Sequence, residues 1–151
     1  MTTYLDSSAI VKLYVPEAHS TKMSAFVQSL SHPIFCSHLH DLEIRNGLRL
    51  KVFRGESAPR TVDASLRLMD DDFRSGVLVR PEMNWLDVFR HAEKLSKELS
   101  STMGVRSLDL LHIASALILQ AGSFLTFDDR QRTAARRAGL KIVAPQTPAR
   151  L

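Results

Sequence analysis

The sequence is poor in the residues that form disulfide frameworks and zinc sites. Its single cysteine, Cys36, cannot form an internal disulfide. Zinc sites usually draw four Cys or His ligands in recognised spacings, and the segment Cys36-Ser37-His38-Leu39-His40 is followed by no second pair of that kind. We therefore reject a zinc site.

The sequence also lacks signals for export, membrane insertion and nucleotide binding. Its first residues show no basic region, long apolar core or cleavage site of a secretory signal. The apolar stretch at residues 9–15 is interrupted by Lys12 and is far shorter than the roughly 20 residues that span a bilayer. Glycine-rich phosphate loops, nucleophile elbows and dinucleotide fingerprints are missing too. We expect a cytoplasmic protein with no membrane role.

The bulk composition is that of an ordinary globular protein. With 151 residues, 44% of them hydrophobic and 24% charged, the chain is expected to form one domain over residues 1–151, with a short C-terminal tail from about residue 146. The net charge of +4 comes from 20 Lys and Arg against 16 Asp and Glu. Such a mild excess is equally compatible with a polyanionic partner and with a slightly basic surface of no special function.

Short β-prone runs alternate with longer helical segments. The β-prone runs are residues 3–5, 33–36, 77–79, 123–127 and 141–144. They are short and apolar, as buried parallel strands are. Ser37 is expected to cap a helix that ends near Phe53, Asn84 with Asp87 a helix that ends near Ser101, and Ser107 a third that ends at Gly122. This order predicts an α/β fold with a parallel sheet covered by helices, whose ligands bind beyond the carboxyl ends of the strands.

Four acids lie in apolar segments that are far apart in the chain. They are Asp6, Glu43, Asp109 and Asp128. An unpaired charge in such surroundings costs several kcal/mol. If the fold brings the four together, protonation or cations must relieve their repulsion, and a magnesium-like ion suits a site made only of oxygen ligands. The pattern points to metal-dependent phosphate chemistry.

Each acid also has a plain structural interpretation. Asp6 is placed to cap a helix beginning near Ala9, and Asp109 lies in a first helical turn, where the helix dipole favours a negative charge. Glu43 is equally compatible with an exposed position beside Arg45 or Arg49. His112, one turn after Asp109, is more often a core residue than a ligand contact.

Of the two neighbouring acids at residues 128 and 129, one is expected in the site and the other at the cap of the following helix or in an auxiliary role. Thr126 and Asp128 project to the same side of an extended strand, which favours Asp128 as the inward acid and Asp129 as the capping or auxiliary one. Arginines near these segments could guide a phosphate backbone or simply belong to charged helix surfaces. They are Arg45, Arg49, Arg54, Arg130, Arg132, Arg136 and Arg137.

Taken in order, the acidic segments resemble the PIN-domain ribonucleases, and in particular the VapC-type toxins of type II toxin–antitoxin systems. The likeness covers nearly the full chain. The motifs that carry it are Tyr4-Leu5-Asp6-Ser7-Ser8-Ala9, then Glu43 in the helix after the second strand, Ser107-Leu108-Asp109-Leu110-Leu111-His112-Ile113-Ala114, and Leu125-Thr126-Phe127-Asp128.

The resemblance implies a three-layer α/β/α fold around a parallel sheet of about five strands, and a Mg²⁺- or Mn²⁺-dependent endoribonuclease. In that family pattern Asp6, Glu43, Asp109 and Asp128 surround the ion, with Asp6 and Asp109 as its direct ligands. Ser8 and Thr126 become polar support near the substrate. The resemblance also implies a homodimer and a cognate antitoxin that blocks the acidic groove.

Two other functional classes remain open at this point. Phosphatases with an aspartate nucleophile also place an acid at the end of their first strand, typically in an Asp-x-Asp pattern, but here Ser8 holds the second acidic position. A non-catalytic binding module that keeps the fold is the other alternative. For the nuclease, either Glu43 or Asp128 could act through water as general base.

Overall fold

The computed structural model describes residues 1–145, in which four short parallel strands alternate with helices. The expected tail from about residue 146 lies outside the described residues. In chain order the elements are β1 (Thr3–Leu5), α1 (Ser7–Ile10), a 3₁₀ turn (Val11–Leu13), α2 (Ser20–Gln28), β2 (Ile34–Phe35), α3 (His38–Phe53), α4 (Pro59–Ser75), β3 (Leu78–Val79), α5 (Trp85–Met103), α6 (Ser107–Ile118), β4 (Ser123–Leu125) and α7 (Asp129–Arg137).

The chain divides into two compact units, and the first is built on the pairing of β1 with β4. This unit comprises Met1–Asp6 and Glu82–Ala144. The two strands run parallel, with Thr3 opposite Ser123 and Leu5 opposite Leu125. Parallel strands end at the same edge of a sheet, so the residues that follow β1 and β4 are brought together.

The core of the first unit explains why β1 is a strand. All three of its residues are buried, and the Tyr4 ring stacks on Phe124 with 5.5 Å between ring centroids. The almost wholly apolar helix α6 packs against the amphipathic helix α5 in the same unit. A strand of three residues is stable here because both faces are covered.

The second unit comprises Ser7–Pro81 and Pro145, and it contains the other strand pair. Strands β2 and β3 are parallel, with Ile34 opposite Leu78. Helix α3 begins after Ser37, which forms a capping box with His40, and it ends at Phe53 as the sequence predicted. Asp41 on α3 accepts hydrogen bonds from Arg45 at 2.6 Å and from Arg80 at 2.7 Å, which ties α3 to the segment after β3.

The α/β fold with parallel strands is confirmed, whereas several details differ from the expectation. A sheet of about five strands was expected, whereas residues 1–145 contain four strands in two pairs. The predicted strand at 141–144 is reduced to one parallel bridge between Phe124 and Ile142. Helix α6 has its N-cap at Arg106, so Ser107 is its first helical residue and the predicted Ser107 cap is wrong. Among the helices of the described part, none has the length and apolar character required to cross a bilayer.

Candidate active site beyond strands β1 and β4

Asp6 is the first residue after β1 and continues the strand pairing. Its backbone N–H donates to the Leu125 carbonyl at 3.1 Å, which holds it beside the end of β4. Its side chain is buried, with 3% of the residue exposed. The Thr126 hydroxyl donates a hydrogen bond of 2.6 Å to Asp6 Oδ2. An O–H···O contact this short is at the tight end of the usual range for such hydrogen bonds, so it fixes the orientation of the Asp6 side chain.

Asp128 lies on the same edge and both caps α7 and faces the site. Its Oδ1 accepts from the backbone N–H of Gln131 at 3.0 Å, and its own backbone N–H donates to Thr126 Oγ1 at 3.1 Å. The prediction that Asp129 provides the cap is therefore wrong. Asp129 is the first helical residue, its side chain is 91% exposed, and it forms an ion pair with Arg132. The cap uses one oxygen of Asp128 and leaves the other for the site.

Asp109 and Asp128 share one guanidinium group. Arg106 Nε donates to Asp109 Oδ2 at 3.0 Å, and Arg106 Nη2 donates to Asp128 Oδ2 at 2.8 Å. Asp109 is 7% exposed and lies in the first turn of α6, where the helix dipole also favours its charge. Two carboxylates on different helices are thus held toward one cation, which lowers their mutual repulsion.

His112 has a partner in the core. Its Nδ1 lies 2.9 Å from the Tyr4 hydroxyl, and the two rings meet nearly edge to face with 6.0 Å between centroids. The residue is buried. This contact corresponds to the structural interpretation of His112, a buried histidine with a hydrogen-bond partner on β1.

Glu43 and Ser8 belong to the second unit. Glu43 is half-buried on α3, and its Oε1 accepts a hydrogen bond of 2.9 Å from the Ser7 hydroxyl. Arg45, one of its expected partners, donates to Asp41 and to Asp70. Ser8 lies half-buried in α1. The roles assigned to Glu43 and Ser8 by resemblance stay predictions.

An open pocket of about 420 Å³ adjoins the carboxylates of the first unit. It is lined by Arg106, Asp128, Asp129 and Arg130. The Arg130 side chain reaches the Gly104 carbonyl at 3.4 Å. The lining consists of two arginines and two aspartates, so the pocket offers cationic groups beside carboxylates and suits a polar ligand more than an apolar one.

The donor chemistry suits a hard divalent cation, although no ready-made cage is present. Across residues 1–145, no group of three or more His, Cys, Asp or Glu side chains has an arrangement that could hold a metal ion. Mg²⁺ is usually bound through one or two carboxylates, with water and substrate phosphate completing its octahedron. The buried carboxylates of Asp6 and Asp109 supply oxygen ligands of that kind. The donor types of these two residues are therefore those that Mg²⁺ prefers.

Sequence reasoning missed three neighbours of the acids. Arg106 precedes α6 by one residue and lies three positions before Asp109, a spacing at which side chains meet on a helix surface. Gln131 stands three residues after Asp128, which is the spacing of a capping box. Ser7 donates a hydrogen bond to Glu43. The first two spacings were visible in the sequence, whereas the Ser7 contact depends on tertiary structure.

Comparisons with known proteins identify a family model, a relative in sequence and a structure with a similar fold. The family model described as PIN domain matches residues 3–137. The chain is 35% identical over 144 residues to Ribonuclease VapC46 of Mycobacterium tuberculosis, with 94% of this chain and 96% of that protein covered. Its fold is similar to that in the crystal structure of FitAcB from Neisseria gonorrhoeae, with a TM-score of 0.65, 15% identity, and coverage of 95% of this chain and 98% of the other.

Proposed function

Because the chain belongs to the PIN-domain family, we propose that it is a toxin-like, metal-dependent endoribonuclease that hydrolyses phosphodiester bonds in RNA. The observation that carries the proposal is the convergence of Asp6, Asp109 and Asp128 on one hydrogen-bonded network beyond β1 and β4. A relative that is a ribonuclease by name, with 35% identity across nearly the whole chain, supports the same reaction.

Asp6 and Asp109 are proposed as the residues that hold the ion, which is Mg²⁺ or Mn²⁺. When bound, such an ion lowers the pKa of a bound water and neutralises charge on the phosphate oxygens. Asp6 is fixed for this task by Thr126, and Asp109 by the start of α6 and by Arg106. Both acids are buried, and a divalent cation that enters would stabilise negative charge at these positions.

Glu43 and Asp128 are proposed as the remaining acids of the site, and either one can take the proton of the attacking water. Asp128 is restrained through its Oδ1, which caps α7, while its Oδ2 contacts Arg106. Glu43 is restrained by Ser7. Ser8 and Thr126 supply hydroxyl groups near the substrate, and Thr126 does so while orienting Asp6. A positioned base of this kind typically contributes about 10² to 10⁴ in rate.

Arginines beside the pocket are proposed to receive the RNA backbone. Arg130 is exposed on the pocket wall, and Arg136 and Arg137 are exposed at the other end of α7. Contacts between arginine and phosphate supply most of the sequence-independent affinity for nucleic acid, and they weaken as salt rises. The basic residues of α7 therefore suit a chain of phosphates that leads to the carboxylates.

The proposal includes a cognate antitoxin that blocks the acidic groove, a homodimer and a cytoplasmic location, as the family resemblance implies. Three exposed apolar side chains on α5 and α6 are compatible with a protein partner, those of Leu86, Phe89 and Leu108. Light scattering of the purified chain tests the dimer. Growth of cells that express the chain with and without its antitoxin tests the neutralisation.

The direct test of catalysis compares the wild type with Asp6→Asn and Asp71→Asn. Asp6→Asn keeps the side-chain shape and removes the charge, while Asp71→Asn makes the same chemical change on α4, at a position that is 61% exposed. Each protein is incubated with RNA and Mn²⁺ or Mg²⁺, and the new 5′ ends are mapped by sequencing. We expect discrete cuts with the wild type and Asp71→Asn, and a loss of at least about 100-fold in rate with Asp6→Asn.

Equal cutting by the wild type and Asp6→Asn would overturn the proposal. Folding of each variant is checked by circular dichroism, so that loss of activity is not confused with loss of structure. If the wild type binds RNA without cutting it, the chain is a binding module. A phosphoryl group trapped covalently on Asp6 would identify a phosphatase instead.

A further inference from the structure

The side chain of Gln131 lies against the hydroxyl group that orients Asp6. Gln131 is the third residue of α7, and 2% of it is exposed. Its Oε1 lies 3.2 Å from Thr126 Oγ1. Its amide nitrogen, Nε2, has no hydrogen-bond partner among the described residues. A buried amide nitrogen with two unused protons is costly and calls for a physical account.

The hydrogen-bonding capacity of Thr126 decides which way the amide is turned. A hydroxyl group has one proton to donate and two lone pairs that accept. The proton goes to Asp6 Oδ2, because that contact, at 2.6 Å, is shorter than the contact with Gln131 Oε1 at 3.2 Å. One lone pair accepts from the Asp128 backbone N–H at 3.1 Å. The Gln131 amide also faces Oγ1, and a donor at that place suits a hydroxyl group whose proton is directed to Asp6.

Turning the amide by 180° about its terminal bond brings Nε2 to the position facing Thr126. The oxygen and nitrogen of an amide have nearly the same shape, so the surrounding hydrogen bonds determine the orientation. In the turned state Nε2 donates to Thr126 Oγ1. The amide oxygen Oε1 then no longer lies 3.2 Å from Thr126 Oγ1, whose proton is directed to Asp6. The amide oxygen then takes the place without a partner, and a buried carbonyl without a donor is better tolerated than a buried N–H without an acceptor.

The local sequence explains why the Gln131 side chain is available for Thr126. In a capping box the N3 side chain reaches back to the backbone N–H of the N-cap residue. Here that N–H, on Asp128, is already donated to Thr126 Oγ1. Asp128 Oδ1 accepts from the Gln131 backbone N–H at 3.0 Å, so Gln131 is anchored while its amide points to the hydroxyl. With the turned amide, Thr126, Asp128 and Gln131 would form a closed ring of hydrogen bonds, from which the Thr126 proton points to Asp6.

We propose that Gln131 is a positioning residue: its amide donates to Thr126 Oγ1 and thereby directs the one hydroxyl proton to Asp6. Without that donor, the rotation of the Thr126 hydroxyl is no longer fixed from the Gln131 side, and the short hydrogen bond to Asp6 Oδ2 is held less firmly. Residues that orient a metal ligand typically change metal affinity about 10- to 100-fold when they are removed. The consequence for the ion rests on the proposed function, whereas the hydrogen bond itself does not.

The hydrogen bond is tested first in the protein without metal. In NMR spectra of ¹⁵N-labelled wild type, we expect the side-chain NH₂ protons of Gln131 to exchange slowly with water and to shift in Thr126→Val. The peaks are assigned with Gln131→Met, which removes them and keeps the length of the side chain. Fast exchange in the wild type, or peaks that do not move in Thr126→Val, would overturn the proposal whether or not the protein cuts RNA.

The effect on the ion is tested by a double-mutant cycle read out as the Mn²⁺ dissociation constant. We expect Gln131→Met and Thr126→Val each to weaken Mn²⁺ binding about tenfold, and the double variant to be no weaker than Thr126→Val alone. Ser115→Ala is the control, because the Ser115 hydroxyl is also buried in the first unit without a partner among the described residues. Its Mn²⁺ affinity should equal that of the wild type.

The outcomes separate this inference from the proposed function. Wild type that binds neither Mn²⁺ nor RNA overturns the proposed function, and the exchange data then still decide the hydrogen bond. Wild type that binds Mn²⁺ normally, with Gln131→Met unchanged, overturns the positioning role alone. Independent, multiplying effects of the two substitutions would show that Gln131 does not act through Thr126.

Discussion

Arg106 Nη2 lies 2.8 Å from Asp128 Oδ2, so the residue before α6 supplies a cation to the carboxylate that caps α7. The same guanidinium donates to Asp109. A divalent ion held by Asp109 would therefore share its carboxylate with a resident positive charge. We expect Arg106 to stabilise the protein without metal and to oppose the proposed binding of metal, and these two effects can be separated experimentally.

Replacing Arg106 with Gln should destabilise the metal-free protein and tighten its binding of Mn²⁺. The Arg106 side chain is 63% exposed, so solvent screens its ion pairs and the expected loss in free energy of unfolding is about 1 kcal/mol. Removing the positive charge leaves Asp109 and Asp128 to attract a divalent ion more strongly. Thermal melts should show a lower Tm without metal and a larger rise with Mn²⁺. An unchanged Tm without metal, together with a smaller rise in Tm on adding Mn²⁺, would contradict this interpretation of Arg106.

Replacing Arg130 with Gln should weaken RNA binding in a way that depends on salt. Arg130 is exposed on the wall of the pocket beside Asp128. One lost phosphate contact should lower the slope of log K against log salt by roughly 0.7 for a single strand, and raise KM more than it changes kcat. Arg90→Gln on α5 is a matched control, because Arg90 is exposed and pairs with Asp87 on its own helix. An equal change of slope in both variants would remove Arg130 from the binding surface.

The pKa of Asp41 predicts part of the acid sensitivity of the second unit. Burial by itself would raise this pKa, but hydrogen bonds from Arg45 and Arg80 outweigh it and lower the pKa below its usual value. The pairing therefore contributes stability above the pKa of the unfolded chain, about 4, and this contribution is lost as the pH falls through the lower folded pKa. We expect urea denaturation at pH 6 and near pH 3 to show that the free energy of unfolding falls less with pH in Asp41→Asn than in the wild type, by about 1 kcal/mol. An equal fall in both proteins would contradict the role of Asp41.

Cys36 should be inert to thiol reagents in the folded protein. Burial is the main cause that raises the pKa of this thiol to about 12, and Asp41 adds to it. At pH 8 only about one thiol in 10⁴ is then ionised, and the thiolate is the reactive form. An excess of a colorimetric disulfide reagent should label the native protein over hours and the urea-unfolded protein within seconds. Fast labelling of the native state would show that Cys36 is accessible.

Tyr4→Phe should destabilise the first unit without a direct effect on cleavage. The substitution removes the hydrogen bond between the Tyr4 hydroxyl and His112 Nδ1 and keeps the ring that stacks on Phe124. Leaving a buried nitrogen of His112 without this partner should cost about 1 to 2 kcal/mol in the free energy of unfolding. Urea denaturation measures the loss, and the rate of RNA cleavage well below the Tm should stay near that of the wild type. A large fall in kcat would instead place His112 in the reaction.

The parts of the molecule that follow from local sequence were the most predictable. Helix α3 begins after Ser37 and ends at Phe53 because the cap and the helical periodicity agree. Asp6 was expected at the end of a buried strand, and it lies directly after β1. The predicted strand at 141–144 is a single bridge at Ile142, because a β-prone composition does not decide how many ladder bonds a chain end forms.

The contacts inside the site were less predictable for two physical reasons. A carboxylate has two oxygens, so Asp128 caps α7 with one and faces Arg106 with the other, although capping and site had been treated as alternatives. A long arginine side chain can reach many partners, and only the fold selects Asp109 and Asp128 for Arg106. Thr126 was expected near the site, but its bond to Asp6 depends on the register of two strands far apart in sequence.

The pairing of β1 with β4 also sets when the site can form during synthesis. Asp6 leaves the ribosome 120 residues before Thr126. A nascent chain that ends before β4 lacks both the partner strand of β1 and the Thr126 hydroxyl. If the proposed nuclease is harmful to its host, translation itself delays that harm until β4 has been made, and an antitoxin already present has that interval to act.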